Sequence, residues 1–115
     1  MRAGQIVLCR FPRTDLAAGK RRPALLILAL PSEYDDWLVC MMSTKTEHAV
    51  PLVDELIGVS DFDFEQSGLR ENTVIRVTRL ATVNDSLFTG TLGEIDSNRL
   101  RRLKANLARW IQENN

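Results

Sequence analysis

Three groups of residues hold the chemistry this chain can offer. Lys20, Arg21 and Arg22 stand together before Pro23, which opens the apolar run Ala24 to Leu30. Ser43 and Thr44 close a second, largely apolar run that begins at Trp37. Arg76 alternates with branched residues in Val74-Ile75-Arg76-Val77-Thr78. Guanidinium groups make bidentate contacts with phosphate, and a serine hydroxyl both donates and accepts protons. His48 is the one histidine, and no cysteine pair accompanies it, so the residues offer no zinc-ligand set. There is no glycine-rich phosphate loop or nucleotide fingerprint, and Ser67-Gly68-Leu69 is not a nucleophile elbow. Arginines, hydroxyls and carboxylates without a metal suit phosphodiester transfer by a neighbouring ribose hydroxyl. There the substrate brings its own nucleophile, and the protein positions it and stabilises phosphate charge. Each group also has a structural reading. Arg22 can pair with Asp15, Ser43-Thr44 can simply end a strand, and Arg76 can be an exposed strand residue balanced by Glu71.

The elements that must position these groups are short strands. Gln5 to Phe11 reads as the first. Pro23 to Leu30 reads as a second strand buried on both faces, with Pro23 at its start, where a missing amide donor is tolerated. The cations before it are thereby fixed to a rigid element. Trp37 to Thr44 is a third strand, His48 to Val53 a shorter fourth, Thr73 to Val83 a fifth and Leu87 to Leu92 a last. Asp54 to Leu69 is acidic and irregular with room for a helical turn, and Asp54 to Glu65 is read as a loop bordering the groove. At the C-terminus the period changes. Leu100, Leu103, Leu107, Trp110 and Ile111 recur at helical spacing, with Asp96 or Ser97 as cap. Arg99, Arg101, Arg102, Lys104 and Arg109 then cover the other sides of that helix, and Trp110 lies on the core stripe. Strands followed by one helix predict a mostly β domain, a small antiparallel barrel with the C-terminal helix packed on it.

At 115 residues the chain is read as one domain spanning 1–115. No window is apolar enough to cross a membrane, and the N-terminus lacks a signal-peptide core, which predicts a cytoplasmic protein. Cys9 and Cys40 lie inside apolar runs and read as reduced, buried thiols. The net charge is zero, but its distribution is uneven. Cations dominate before Pro31, and acids dominate from there to Leu69, where Lys45 is the lone cation. That segregation permits one local positive site while arguing against a general nucleic-acid coat.

The segments Gly4-Gln5-Ile6-Val7, Phe11-Pro12-Arg13-Thr14-Asp15, Gly19-Lys20-Arg21-Arg22-Pro23-Ala24, Met42-Ser43-Thr44, Ser67-Gly68-Leu69, Val74-Ile75-Arg76 and Leu80-Ala81-Thr82-Val83 occur in that order. The series resembles the MazF/PemK (Kid-like) toxins of bacterial toxin–antitoxin systems, from Gly4 to the terminal helix. The resemblance implies an SH3-like barrel of the plasmid-maintenance toxin type and a homodimer. It implies a metal-independent, cofactor-free endoribonuclease that cuts single-stranded RNA, usually mRNA, at short motifs. The products are a cyclic phosphate and a 5′-hydroxyl, and a cognate antitoxin inhibits by lying across the RNA groove. Carried over by position, Arg22 matches the catalytic arginine, Ser43 the catalytic threonine and Arg76 a second catalytic arginine. Arg13, Thr14, Lys20, Arg21, Thr44, Thr78 and Arg79 are the expected RNA contacts. Thr78 stands where some members have an aspartate, and the first loop has no histidine where some members use one. His48 lies elsewhere in the sequence, so the general acid and base are unassigned. Two alternatives carry the same composition. One is a non-catalytic toxin of this fold that poisons gyrase through its terminal helix. The other is a single-stranded nucleic-acid binder or inactive RNA-binding relic, against which the scattered aromatics argue.

Overall fold

The computed structural model describes residues 1–10 and 21–114. The strands are β1 (Gln5–Arg10), β2 (Arg21–Ala29), β3 (Asp36–Ser43), β4 (Glu55–Ile57), β5 (Thr73–Asn84) and β6 (Phe88–Glu94). The helices are α1 (Phe64–Ser67) and α2 (Ser97–Glu113), with 3₁₀ turns at Thr46–His48 and Asp85–Leu87. The strands form one sheet in the order β4-β5-β3-β2-β1-β6, and every neighbouring pair is antiparallel. The mostly β architecture with a C-terminal helix is the expected one.

Two details depart from expectation. The sheet is not closed, because its edge strands β4 and β6 do not pair. Instead, the turn after α1 presses on β6. A Cβ on Gly68 would sit 2.1 Å from the Leu92 carbonyl oxygen, and one on Gly93 would sit 2.1 Å from that of Gln66. Backbone meets backbone there, at a distance that only glycine permits. The second departure is the fourth strand, expected over His48 to Val53. That segment is a 3₁₀ turn and a hydrogen-bonded turn, and β4 begins only at Glu55. Pro51 has no amide to give a ladder, and Leu52 takes a left-handed backbone with φ of 69°. Asp54 ties the turn down. Its carboxylate accepts from the Val50 amide at 2.9 Å and from the Val77 amide at 3.0 Å. Val77 lies where the β3–β5 register slips, between Met41↔Arg76 and Cys40↔Leu80. A bulge removes an amide from the ladder, and Asp54 supplies the acceptor.

The apolar run of β2 buries Ala24 through Ile27, as a strand covered on both faces should. One face joins Ile6, Leu25, Ile27, Cys40, Met42 and Ile75 to Leu103 and Leu107 of α2. The other joins Val7, Cys9, Ala24, Leu26, Val39 and Val83. Both cysteines are free and buried. Burial pushes the Cys9 thiol up to about 11, and burial with the nearby Asp54 charge pushes Cys40 up to about 12. Neither thiol is a nucleophile at neutral pH.

Helix α2 is capped as expected, with the Asp96 carboxylate accepting from the Asn98 amide at 2.9 Å. Three of its side chains differ from the periodicity reading. Trp110 and Ile111, expected on the core stripe, are exposed. With Leu28, Leu38 and Ile111 exposed or half-buried, an apolar groove of about 290 Å³ runs between α2 and the sheet. Arg99, expected on an outer side, is buried.

Candidate functional site

The cationic end of β2, the hydroxyl end of β3 and the start of β5 meet at one corner of the sheet. The β2–β3 register pairs Ala24 with Met41. Continued by two residues, it sets Arg22 opposite Ser43. The β3–β5 register pairs Ser43 with Val74 and Met41 with Arg76. Side chains alternate along a strand, so Arg22, Ser43 and Arg76 share one face. It is the face of Ala24, Leu26 and Val39, opposite to the one that α2 covers. Arg76 is a diagonal neighbour of Ser43, a spacing that long side chains bridge.

A cleft of about 270 Å³ opens at this corner. Arg22, Ser43 and Thr44 line it, together with Lys45, Arg70 and Glu71. Met42, Leu69 and Pro23 give it an apolar floor. Among the described residues, the lining holds three cations and one carboxylate, a local positive excess in a chain of zero net charge. The Ser43 hydroxyl is held in place: its Oγ accepts from the Lys45 amide at 3.0 Å. Arg22 is exposed on the strand that Pro23 stiffens, and Ser43 is half-buried.

Arg76 does not line the cleft, but its position is informative. Its Nε is buried and has no hydrogen-bond partner among the described residues. Glu71 does not balance it, contrary to the structural reading. An unmet buried donor of this kind costs about 1–3 kcal/mol.

The other expected RNA contacts divide. Thr44 is on the cleft wall. Arg21 is exposed at the start of β2, paired in register with Arg10 rather than with β3. Thr78 and Arg79 lie on the bulge of β5 and outside the cleft lining. Arg13, Thr14 and Lys20 lie outside the described residues.

Sequence reasoning missed Lys45, Arg70 and His48. Lys45 carried a signal, as the lone cation of the acidic third of the chain. Arg70 carried none. His48 was set apart by its sequence position, yet the 3₁₀ turn Thr46–His48 folds it back, and its Nδ1 lies 3.5 Å from Ser43 Oγ.

The acidic stretch does not border this cleft as expected. Three of its carboxylates, Glu55, Asp61 and Asp63, turn to α2 instead. The Arg99 guanidinium donates to both oxygens of Asp63, at 2.8 and 2.9 Å, to Glu55 at 2.9 Å and to Asp61 at 3.2 Å. Glu55 also receives Arg102, and Asp63 the Asp96 amide. Burial alone would raise the Asp63 carboxyl, but the Arg99 hydrogen bonds and charge hold it below its ordinary value. Burial likewise opposes the charge on Arg99, and Asp63 and Glu55 override it and raise that guanidinium further.

A sequence-family model of the PemK-like, MazF-like toxin of type II toxin–antitoxin systems matches residues 2–111. No curated protein sequence matches the chain at a significant level. Among solved structures, the fold is similar to the Mycobacterium tuberculosis toxin MazF-mt6, with a TM-score of 0.67 at 13% identity over 96% of this chain and 98% of that one. It is also similar to an endoribonuclease in complex with its cognate antitoxin from a mycobacterial species, with a TM-score of 0.65 at 15% identity over 99% and 97%. A further mycobacterial endoribonuclease gives a TM-score of 0.65 at 16% identity over 97% and 91%.

Proposed function

From the premise that this chain belongs to the PemK-like, MazF-like toxins of type II toxin–antitoxin systems, we propose that it is a metal-independent endoribonuclease. It cuts single-stranded RNA at short motifs and leaves a cyclic phosphate and a 5′-hydroxyl. The observation that carries this reading is the shared cleft: Arg22 and Ser43 come from different strands and line one positive pocket. Arg76 stands on the same face with a buried donor to offer.

The division of labour follows from the groups. Arg22 stabilises the charge that develops on the phosphorane, for which a guanidinium is suited because it stays protonated. Ser43, anchored by the Lys45 amide, orients the ribose hydroxyl or the phosphate. Arg76 supplies a second guanidinium to the same phosphate. Thr44 and Arg21 hold the flanking RNA backbone, with Thr78 and Arg79 farther along the same path. Arg13, Thr14 and Lys20 complete that set. Lys45 and Arg70 join it on their place in the cleft wall.

Growth inhibition in the cytoplasm, release by a cognate antitoxin and assembly as a homodimer belong to the same reading. The solved endoribonuclease–antitoxin complex of similar fold supports the antitoxin. The apolar groove along α2 supports a second protein surface. The test is a digest of defined single-stranded RNA in EDTA, with both product ends mapped. Cleavage that leaves a cyclic phosphate, and that disappears in Arg22→Ala, is the expected result. A requirement for added metal, or full cleavage by Arg22→Ala, overturns it. Inhibition of gyrase without RNA cleavage would assign the chain to the protein-contact toxins instead.

A further inference from the structure

The cleft has phosphate-binding groups but, on its arginines and serine alone, no proton acceptor. Guanidinium stays protonated at neutral pH, and a serine hydroxyl is too weak a base by itself. Imidazole is the side chain that takes and returns a proton there. This chain has one histidine, and it stands behind Ser43.

Resting on the nuclease reading above, we propose that His48 is the positioning and proton-accepting residue behind Ser43. The Ser43 hydroxyl accepts from the Lys45 amide at 3.0 Å, and that bond uses one lone pair. Its own proton is left to donate, and His48 Nδ1 lies 3.5 Å away. That is the long end of a hydrogen bond, and a small rotation of either side chain shortens it. The second lone pair of the hydroxyl is available to a ribose 2′-hydroxyl on the cleft side. The arrangement is a relay. The 2′-hydroxyl passes its proton to Ser43 Oγ as Ser43 passes its own to neutral His48. The O2′–P bond forms and the P–O5′ bond breaks. The departing 5′-oxygen takes a proton from water, and the hydroxide left behind recovers the proton from the imidazolium. Atoms and charge balance without a metal or cofactor. The backbone makes the pair possible: the 3₁₀ turn directly after β3 carries a residue five positions on back to the strand end.

Among the described residues, the charged groups nearest in the fold are Lys45 and Glu47 beside its own turn, Arg22, Arg70 and Glu71 in the cleft lining that holds Ser43, and Arg76 on the same face of the sheet. Of these only Glu71, on the cleft wall, is a rival proton acceptor in the cleft. The experiment measures kcat and KM on a short single-stranded RNA across roughly pH 5–9, the span in which imidazole titrates. It compares the wild type with His48→Gln, His48→Ala, Glu71→Gln and Arg22→Ala, with thermal melting as a check on folding. His48 is exposed, so its variants are expected to melt with the wild type. His48→Gln should lower kcat by about 10²-fold or more. It should leave KM in place and abolish the rise of kcat through the imidazole range. Added imidazole should restore part of the rate to His48→Ala. An unchanged kcat and pH rise in His48→Gln, while Arg22→Ala is inactive, overturns the role of His48 and leaves the nuclease reading standing. The same holds if the pH rise disappears in Glu71→Gln instead. A wild type that cleaves no RNA overturns both.

Discussion

Arg99 and Arg76 both send a guanidinium into the molecule, and the two end differently. Arg99 meets Asp63, Glu55 and Asp61 and forms a bidentate pair with a carboxylate that is 0% exposed. Every charge there is answered within the fold. Arg76 lies on the opposite face of the sheet with its Nε buried and unmet among the described residues. Near it, the cleft gathers Arg22, Lys45, Arg70 and Glu71 among the described residues. One region answers its buried guanidinium completely, and the other leaves the Arg76 Nε unanswered among the described residues. A charged residue in the sequence does not carry that distinction. It depends on which partners the fold brings within reach.

Substitutions can break or sharpen this contrast. The largest effect is expected of Arg99→Met, which strands the Asp63 carboxylate and should cost about 3–5 kcal/mol of stability in chemical denaturation. A loss below about 1 kcal/mol, the scale of surface pairs, would remove Arg99 from the structural side of the comparison. Arg22→Ala should do the reverse, lowering cleavage by about 10²–10³-fold with the melting temperature unchanged. Unfolding of that variant would mean that Arg22 is structural as well. Arg76→Met should be smaller and of opposite sign to Arg99→Met. Removing an unmet buried donor should leave stability unchanged or raise it by about 1 kcal/mol, while cleavage falls. A destabilisation as large as that of Arg99→Met would erase the contrast.

The smallest effect is one of pH. The folded Asp63 carboxyl is held below its ordinary value, so the stability it contributes is complete above about pH 4. That contribution is lost as pH falls through the lower folded value. In Arg99→Met the same carboxyl is buried without its partner and gains from protonation. The stability gap between wild type and Arg99→Met should therefore narrow in acid. A gap that is constant with pH would mean that the pair is not what the substitution removed.

Much of the architecture was legible in the sequence. The continuous apolar run after Pro23 is a strand, buried on both faces from Ala24 to Ile27. The leucine spacing of α2 and its Asp96 cap were equally direct. The misplaced fourth strand shows the limit. His48 to Val53 has strand-like composition, but a left-handed Leu52 and the demand of a bulged Val77 amide for Asp54 turn it aside. That demand comes from another strand, so no local pattern contains it. Arg99 and Trp110 exchanged their expected places for the same kind of reason. Periodicity gives the face of a helix but not which partners the rest of the fold brings to it.

By itself the sequence determined most of the strands, the capped helix, the family, and the cations and hydroxyls that are candidates for the chemistry. These are properties of short stretches, where residue type and spacing act directly on the backbone. The tertiary structure alone decided which of those groups meet. Register placed Arg22 opposite Ser43, Arg99 gathered Glu55, Asp61 and Asp63 at α2, and a 3₁₀ turn brought His48 to 3.5 Å from Ser43. Such meetings depend on pairing between distant segments, which burial of the whole core fixes at once.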